Sequence, residues 1–261
     1  MRLKMNKFSK TLVAAALLAG AGAANASISV TGTTDATREL YFQAYDSVSK
    51  LTYSLDLGVT LADLIANVSS ETYNISRDLS GDANWTALTS VATYNPANVQ
   101  YVLGVGRSSK LFITQKEGNA LPAYDQISTA AGVATVITNH AKEINVGLAD
   151  NTSANVSKLV SDTDAAGTGQ WANGLGALPD DIWGTTGGSA AAVAFGQKAD
   201  FWYAQSTNVT KAAGQWLLSG NTLEYKVFPV SQVPLPGAVW MFGAGLMGML
   251  RATRRKWAVA E

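Results

Sequence analysis

Cysteine is absent from this 261-residue chain, and histidine occurs once, at His140. The first absence excludes a disulfide framework, a thiol nucleophile and any cysteine-based zinc or iron–sulfur centre; the second excludes a multi-histidine metal site. Proline is scarce, at 6 residues, and charged residues make up only 15%, yet 47% of the chain is hydrophobic, which rules out a wholly disordered or collagen-like polymer. No segment repeats at a period of roughly 20 to 50 residues, which argues against a propeller or a solenoid. A formal net charge of zero hides an uneven distribution. Of the 19 basic residues, Arg2, Lys4, Lys7 and Lys10 lie at one end and Arg251, Arg254, Arg255 and Lys256 at the other, leaving 11 between residues 27 and 232 against 18 acidic ones. That middle carries about −7 and repels nucleic acid and anionic lipid, so nucleic acid is not an expected partner.

The segment from Met1 to Ala26 falls into three parts: a basic stretch to Lys10, an apolar run from Thr11 to Ala23, and Ala24-Asn25-Ala26 ahead of Ser27. This is the layout of a secretory signal peptide with an A-x-A cleavage site between Ala26 and Ser27, and it implies the Sec translocon and signal peptidase as partners. As helix the apolar run reaches roughly 20 Å, short of a hydrocarbon core of roughly 30 Å. At the other end Val233-Pro234-Leu235-Pro236 precedes an uncharged run from Gly237 to Leu250, and Arg251, Arg254, Arg255 and Lys256 follow at once. The run measures about 21 Å as helix, so it crosses a bilayer only with tilt, thinning or help from its flanks. Cations beside a membrane helix stay on the cytoplasmic side, which puts the C-terminus inside and everything before Val233 outside. Gly243, Gly245 and Gly248 permit close approach of another helix.

With its paired prolines, apolar run and basic tail, the segment VPLPGAVWMFGAGLMGMLRATRRK resembles the PEP-CTERM sorting signal, in the variant that begins Val-Pro-Leu-Pro-Ala. Gly237 stands where that variant has alanine, a small-for-small difference. The resemblance covers Val233 to Lys256, less than a tenth of the chain. It implies that Val233 to Pro236 are the recognition motif, Gly237 to Leu250 a transient inner-membrane anchor, and Arg251 to Lys256 the retention tail. It further implies processing by a membrane transpeptidase of the exosortase type, in a Gram-negative bacterium that makes an exopolysaccharide matrix. The physical logic of the tail agrees with this. The rings of Pro234 and Pro236 lock φ and bias the residues before them to extended backbone, so the helix cannot propagate upstream.

Residues 27–232 are expected to form the exported domain, mainly β, as an antiparallel β-sandwich or jelly-roll-like fold with one central helix. Arg38 to Asp46 alternates Leu40, Phe42 and Ala44 against Tyr41, Gln43 and Tyr45, and Lys50 to Leu57 alternates Leu51, Tyr53, Leu55 and Leu57 against Thr52, Ser54 and Asp56. With only Ser47 to Ser49 between them, the two read as a hairpin. Further expected strands are Ile28 to Thr33, Glu71 to Arg77, Trp85 to Thr93, Val99 to Val105, Lys110 to Gln115 and Asp200 to Gln205. Gly214 to Leu218 and Thr222 to Val230 are expected to form a closing hairpin around Gly220-Asn221. From Tyr124 to Leu148, apolar side chains at Ile127, Ala130, Ala131, Ala134, Ile137, Ala141, Ile144 and Leu148 follow spacings of three and four, the period of an amphipathic helix. Asn155 to Val160 suggests a second short helix, and Asp162 to Gly188 a long loop with Trp171 and Trp183 as its apolar anchors.

Chemistry is thin in this middle. His140, beside Asn139 and Lys142, reads as a solvated histidine on the helix surface, and no G-x-S-x-G elbow accompanies it. Asp162-Thr-Asp164 opens like a calcium loop, but Ala166 and Asn173 occupy positions where ligands are needed; a looser set would draw on Asp162, Asp164, Asp180 and Asp181. Gly104-Val-Gly106-Arg-Ser-Ser-Lys110 lacks the second glycine of a P-loop and reads as a turn between strands. No catalytic, cofactor or metal residues are therefore assigned. Trp183 and Trp202 are the candidate sugar-stacking residues. The expectation is a non-enzymatic surface or matrix protein associated with exopolysaccharide or biofilm; the alternative is a carbohydrate-active enzyme or carbohydrate-binding module carrying the same tail.

Overall fold

A computed structural model describes residues 28–30, 33–118, 127–146, 156–167, 191–205 and 208–229. Among these, ten strands and three helices follow one another: β1 (Glu39–Asp46), β2 (Leu51–Thr60), α1 (Leu61–Asn67), β3 (Ile75–Asp78), α2 (Ala83–Thr89), β4 (Val99–Arg107), β5 (Lys110–Lys116), α3 (Ile127–Asn145), β6 (Ser157–Ser161), β7 (Val193–Ala194), β8 (Lys198–Gln205), β9 (Asn208–Ser219) and β10 (Thr222–Lys226). The strands form a single antiparallel sheet in the order β3-β10-β9-β8-β5-β4-β1-β2-β6, with β7 beside β4.

The sheet is curled, and that curl replaces the second sheet of the expected sandwich. Arg77 on β3, at one end of the strand order, donates from Nη2 to the carbonyl of Leu57 on β2, near the other end, at 2.6 Å. Helix α2 bridges the same seam: Trp85 Nε1 donates to Asn221 Oδ1 in the β9–β10 turn, and Asn84 Nδ2 to the carbonyl of Ser157 on β6, both at 3.0 Å. Inside the curl lies an aromatic core of Phe42, Tyr53, Trp85, Tyr101, Phe112, Phe201, Trp216 and Tyr225. Phe201 and Trp216 meet edge to face at 5.9 Å, a geometry that gains beyond area burial alone.

The opposite face is covered by α3, so both faces of the central strands are buried and the period-2 alternation marks two cores rather than core and solvent. Gly104 and Gly106 on β4 make the approach possible. A Cβ on Gly106 would lie 2.6 Å from the Ala134 Cα, a separation that real Cβ atoms do not show. Val133, Ala134, Ile137, His140, Ala141 and Ile144 face the sheet, and Lys158 closes the helix by donating to the carbonyls of Val146 at 2.8 Å and Glu143 at 3.4 Å, a cation at the negative end of the dipole.

The three expected hairpins form, and each turns on a residue with positive φ: Lys50 at 59°, Ser108 at 52° and Gly220 at 57°. Four expectations are corrected. Trp85 to Thr93 contributes a helix, not a strand, because the Asp82 carboxylate caps the amides of Asn84 and Trp85 at 2.8 and 2.9 Å and starts α2. The short helix at Asn155 to Val160 is strand β6 instead, since so short a segment cannot repay helix nucleation while β2 offers an edge to pair with. Ile28 to Val30 lies alongside β1 without joining the ladder. Of Glu71 to Arg77, only Ile75 onward is strand. Residues 168–190, with Trp171, Trp183, Asp180 and Asp181, lie outside the described residues, as do Leu148, the leader and the tail.

Candidate functional site

The polar chemistry of the domain is concentrated between α3 and the sheet. Strands β1 and β2 pair Gln43 with Ser54 and Tyr41 with Asp56 on this face. His140 is 0% exposed, which corrects the expectation of a solvated histidine: the helix turns this ring onto the sheet one position before Ala141. Gln43 donates from Nε2 to Ser54 Oγ at 2.8 Å and to the carbonyl of Ala166 at 3.2 Å, which leaves its Oε1 facing His140 Nε2 at 3.1 Å. The imidazole is therefore the donor, with a proton on Nε2. Burial, with a lesser contribution from the Lys158 cation, pushes the His140 pKa down to about 3, which keeps the ring neutral at pH 7. Tyr41 adds a hydrogen bond from its hydroxyl to the carbonyl of Ile137 at 3.2 Å.

This chain of Ser54, Gln43 and His140 is not a nucleophile with its base. The glutamine stands between hydroxyl and ring, whereas proton abstraction needs direct contact. What the arrangement does is bind helix to sheet.

Two carboxylates border the layer. Asp56 is 2% exposed and accepts the amide of Gly58 at 2.8 Å. Burial raises its pKa to about 7, the Gly58 amide and Arg77 oppose the rise, and the Glu39 charge adds to it. Burial likewise raises Glu39, which accepts the amide of Ser29 at 2.6 Å. The opening beside them, lined by Arg38, Glu39, Tyr41 and Thr138 among others, has room for about one water molecule, 10 Å³, far below what a sugar ring or cofactor needs.

The sign of the Asp56 effect follows from linkage. A carboxyl whose folded pKa lies above its unfolded value contributes most to stability below about pH 4 and loses that contribution as pH rises to about 7. Asp56→Asn is accordingly expected to stabilise the protein at pH 8 by on the order of 2 to 4 kcal/mol and to match the parent near pH 4. Urea unfolding at the two pH values checks this; equal gains at both would show that Asp56 is charged throughout.

A second buried carboxylate, Asp200 on β8, is fully engaged. Its Oδ1 meets Lys211 Nζ and Gln215 Nε2, each at 2.7 Å, and its Oδ2 accepts the amide of Gly118 at 3.3 Å. The Gln215 amide also donates to Glu117 Oε1 at 2.9 Å, tying β9 to the end of β5.

The residues singled out in the sequence separate into three groups. Gly104 to Lys110 is the β4–β5 hairpin as expected. Trp202, between Ile113 and Lys211 in register on the α3 side of the sheet, is 8% exposed. Asp164 is spent on its own turn, accepting the amide of Ala166 at 2.8 Å, and among the described residues no three acidic or histidine side chains converge as metal ligands. Ala24, Ala26, Ser27, Trp183, Val233, Pro234, Leu235, Pro236, Arg251, Arg254, Arg255 and Lys256 lie outside the described residues; among those described, no helix is long and apolar enough to cross a membrane. What sequence reasoning missed is the polar layer itself. Its signal was available in the run of polar residues Gln43, Thr52, Ser54 and Asp56 at alternate positions of two strands, opposite a helix whose apolar stripe carries one histidine. Comparison with protein families, curated proteins and solved structures finds no match.

Proposed function

We propose that this chain is an exported, non-enzymatic protein of the cell surface or extracellular matrix. Its leader takes it through the Sec translocon, signal peptidase releases it, and an exosortase-type transpeptidase processes its tail within an exopolysaccharide-producing Gram-negative envelope. The observation that carries the reading is the order at the C-terminal end: Val233-Pro234-Leu235-Pro236, then an uncharged run to Leu250, then Arg251, Arg254, Arg255 and Lys256. A stop-transfer anchor needs the run and the cations but not the paired prolines, whose effect is to keep an extended backbone beside the helix for an enzyme to grip. In the domain, buried Gln43, Ser54 and His140 bind helix to sheet, and Asp200 engages Lys211, Gln215 and the Gly118 amide, contacts suited to a rigid scaffold.

The tail is tested by mass spectrometry of the mature C-terminus from the native host. The parent is expected to have lost Trp257 and the basic residues. Changing Pro234 and Pro236 to alanine is expected to let the helix extend upstream, improve the membrane span, and leave the chain uncleaved in the inner membrane. Neutralising Arg254, Arg255 and Lys256 is expected to let the tail slip across before processing. A parent protein that still ends at Glu261 would reduce the tail to a single-pass anchor.

A further inference from the structure

The end of the curled sheet that holds the β4–β5 turn gathers cations. Arg107 lies two residues after Val105, Lys110 two before Phe112 and Gln205 two after Tyr203, and Val105, Phe112 and Tyr203 all belong to the aromatic core inside the curl. The strand period of two therefore places Arg107, Lys110 and Gln205 on that inner side, at its rim. In register, Arg107 faces Lys110 and Lys110 faces Gln205. Asp35, in the one-turn 3-10 helix Asp35–Thr37, meets two of them: Arg107 Nη1 donates to its Oδ1 at 2.8 Å and Lys110 Nζ to its Oδ2 at 2.5 Å. Arg107 also holds the Thr33 carbonyl, and Arg38 holds the Val30 carbonyl. Tyr203 donates its hydroxyl to Gln205 Oε1 at 2.7 Å, which leaves the Gln205 amide N–H groups to donate elsewhere.

Three cations thus share one carboxylate, because among the described residues no acidic side chain pairs with Arg38; Glu39 turns its carboxylate to the Ser29 amide at 2.6 Å. Burial, and after it the charge of Arg107, hold the Arg38 pKa below the usual guanidinium range, so the two side chains feel one another's charge. Arg107 and Lys110 remain 27% and 28% exposed and can reach a second anion. Guanidinium, ammonium and amide N–H groups are donors only, which selects an acceptor that carries negative charge. We propose that Arg107, Lys110 and Gln205, with Arg38 adding its charge, bind the carboxylate of a sugar-acid unit in an acidic polysaccharide. The proposal rests on reading the protein as exported into an exopolysaccharide matrix. Arg107 supplies the planar fork that matches a carboxylate, Lys110 a point charge, and Gln205 the N–H groups for neighbouring hydroxyls. A partly exposed rim admits one unit of a polymer while the rest of the chain runs on into solvent. The acidic balance of residues 27–232 does not forbid this, since exposed charges more than about 10 Å away are largely screened at roughly 0.1 M salt.

The test titrates the isotope-labelled full chain in detergent with trigalacturonate, with EDTA present to remove bridging calcium, and follows backbone amide shifts. Saturable shifts are expected at Arg107, Lys110 and Gln205, and none there with neutral maltotriose. The apparent affinity read at those amides is expected to fall several-fold between about 50 and 200 mM salt, and by about fivefold in Lys110→Gln. Lys50→Gln removes a cation from the β1–β2 turn, at the opposite end of β1, and is expected to change nothing. Asp35→Asn decides between binding and mere fastening. It removes the competing carboxylate and is expected to tighten binding several-fold, whereas a clasp serving only to hold residues 33–35 would loosen and binding would not improve. Shifts confined to the two basic ends, equal shifts with maltotriose, or no tightening in Asp35→Asn would overturn the site. Each of those results leaves the export reading standing, because the mass of the mature C-terminus decides that separately. A parent that ends at Glu261 yet shows the full pattern of shifts would keep the sugar-acid site and overturn only the processing of its tail.

Discussion

Gly106→Val is expected to be the most damaging single change in the domain, costing about 3 kcal/mol or more and loosening α3 from the sheet. The reason is backbone against backbone. A Cβ at this position would lie 2.6 Å from the Ala134 Cα, 2.8 Å from its Cβ and 2.9 Å from its carbonyl oxygen, and no rotamer change relieves those contacts. Relief requires the helix to move away, and the helix is fastened at several points: by His140 to Gln43, by Tyr41 to Ile137, by Thr138 Oγ1 to the Gly106 carbonyl at 3.0 Å, and by Lys158 at its end. Gly104→Ala is the matched control. There a Cβ would meet only the Ile137 side chain, whose terminal Cδ1 at 3.3 Å can rotate away, so a loss below about 1.5 kcal/mol is expected. Urea unfolding midpoints, with hydrogen exchange of the α3 amides, separate the two outcomes. Equal, small losses at both glycines would mean that α3 is not seated on β4 as described.

His140→Ala is expected to cost about 3 kcal/mol, through a cavity beneath α3 and through loss of the hydrogen bond to Gln43 Oε1. His140→Phe keeps most of the volume and is expected to lose less, which divides packing from hydrogen bonding. The pH dependence is a second signature. With a folded pKa near 3 and an unfolded value near 6.5, His140 contributes stability that is present above about pH 6.5 and is lost as pH falls towards 3, because the unfolded chain takes up the proton first. The parent should therefore weaken on acidification through this range more steeply than His140→Phe. Parallel pH profiles of the two would place the ring in solvent. Asp56 works in the opposite direction, losing stability as pH rises towards 7, so the two buried groups set the acid and alkaline shoulders of one stability curve.

Particular residues show where sequence reasoning succeeds and where it stops. The β1–β2 hairpin is readable because its apolar residues alternate on both sides of a short polar turn, and the central helix because Ala134, Ile137, Ala141 and Ile144 keep the helical period. Trp85 to Thr93 misleads because its aromatic and β-branched residues imitate a strand, while the deciding residue, the Asp82 cap, lies just outside the run. Ser157–Ser161 is ambiguous on its own and becomes strand because β2 has an unsatisfied edge, a long-range fact that so short a window does not hold. The polar neighbours Asn139 and Lys142 point His140 towards solvent. Its burial depends on the rotation of α3 over the sheet, which Gly104 and Gly106 determine from a separate element earlier in the chain.

The sequence by itself determined the antiparallel β-rich class, the three hairpins, the central helix, the exclusion of cysteine and multi-histidine chemistry, and the two terminal segments on which the export proposal rests. All of these are local: each depends on residue order within a short window, where propensity and period act directly. Only the tertiary structure decided that one curled sheet closes on itself through Arg77 and α2, that the second face of the sheet is buried, that His140, Asp56, Asp200 and Trp202 are interior, and that Ile28 to Val30 dock beneath Asn145. Those outcomes depend on which distant segments come together to exclude water. That is settled by the fit of the whole chain, by the two glycines that admit a helix and the buried amides that must find partners, and no single stretch of sequence carries it.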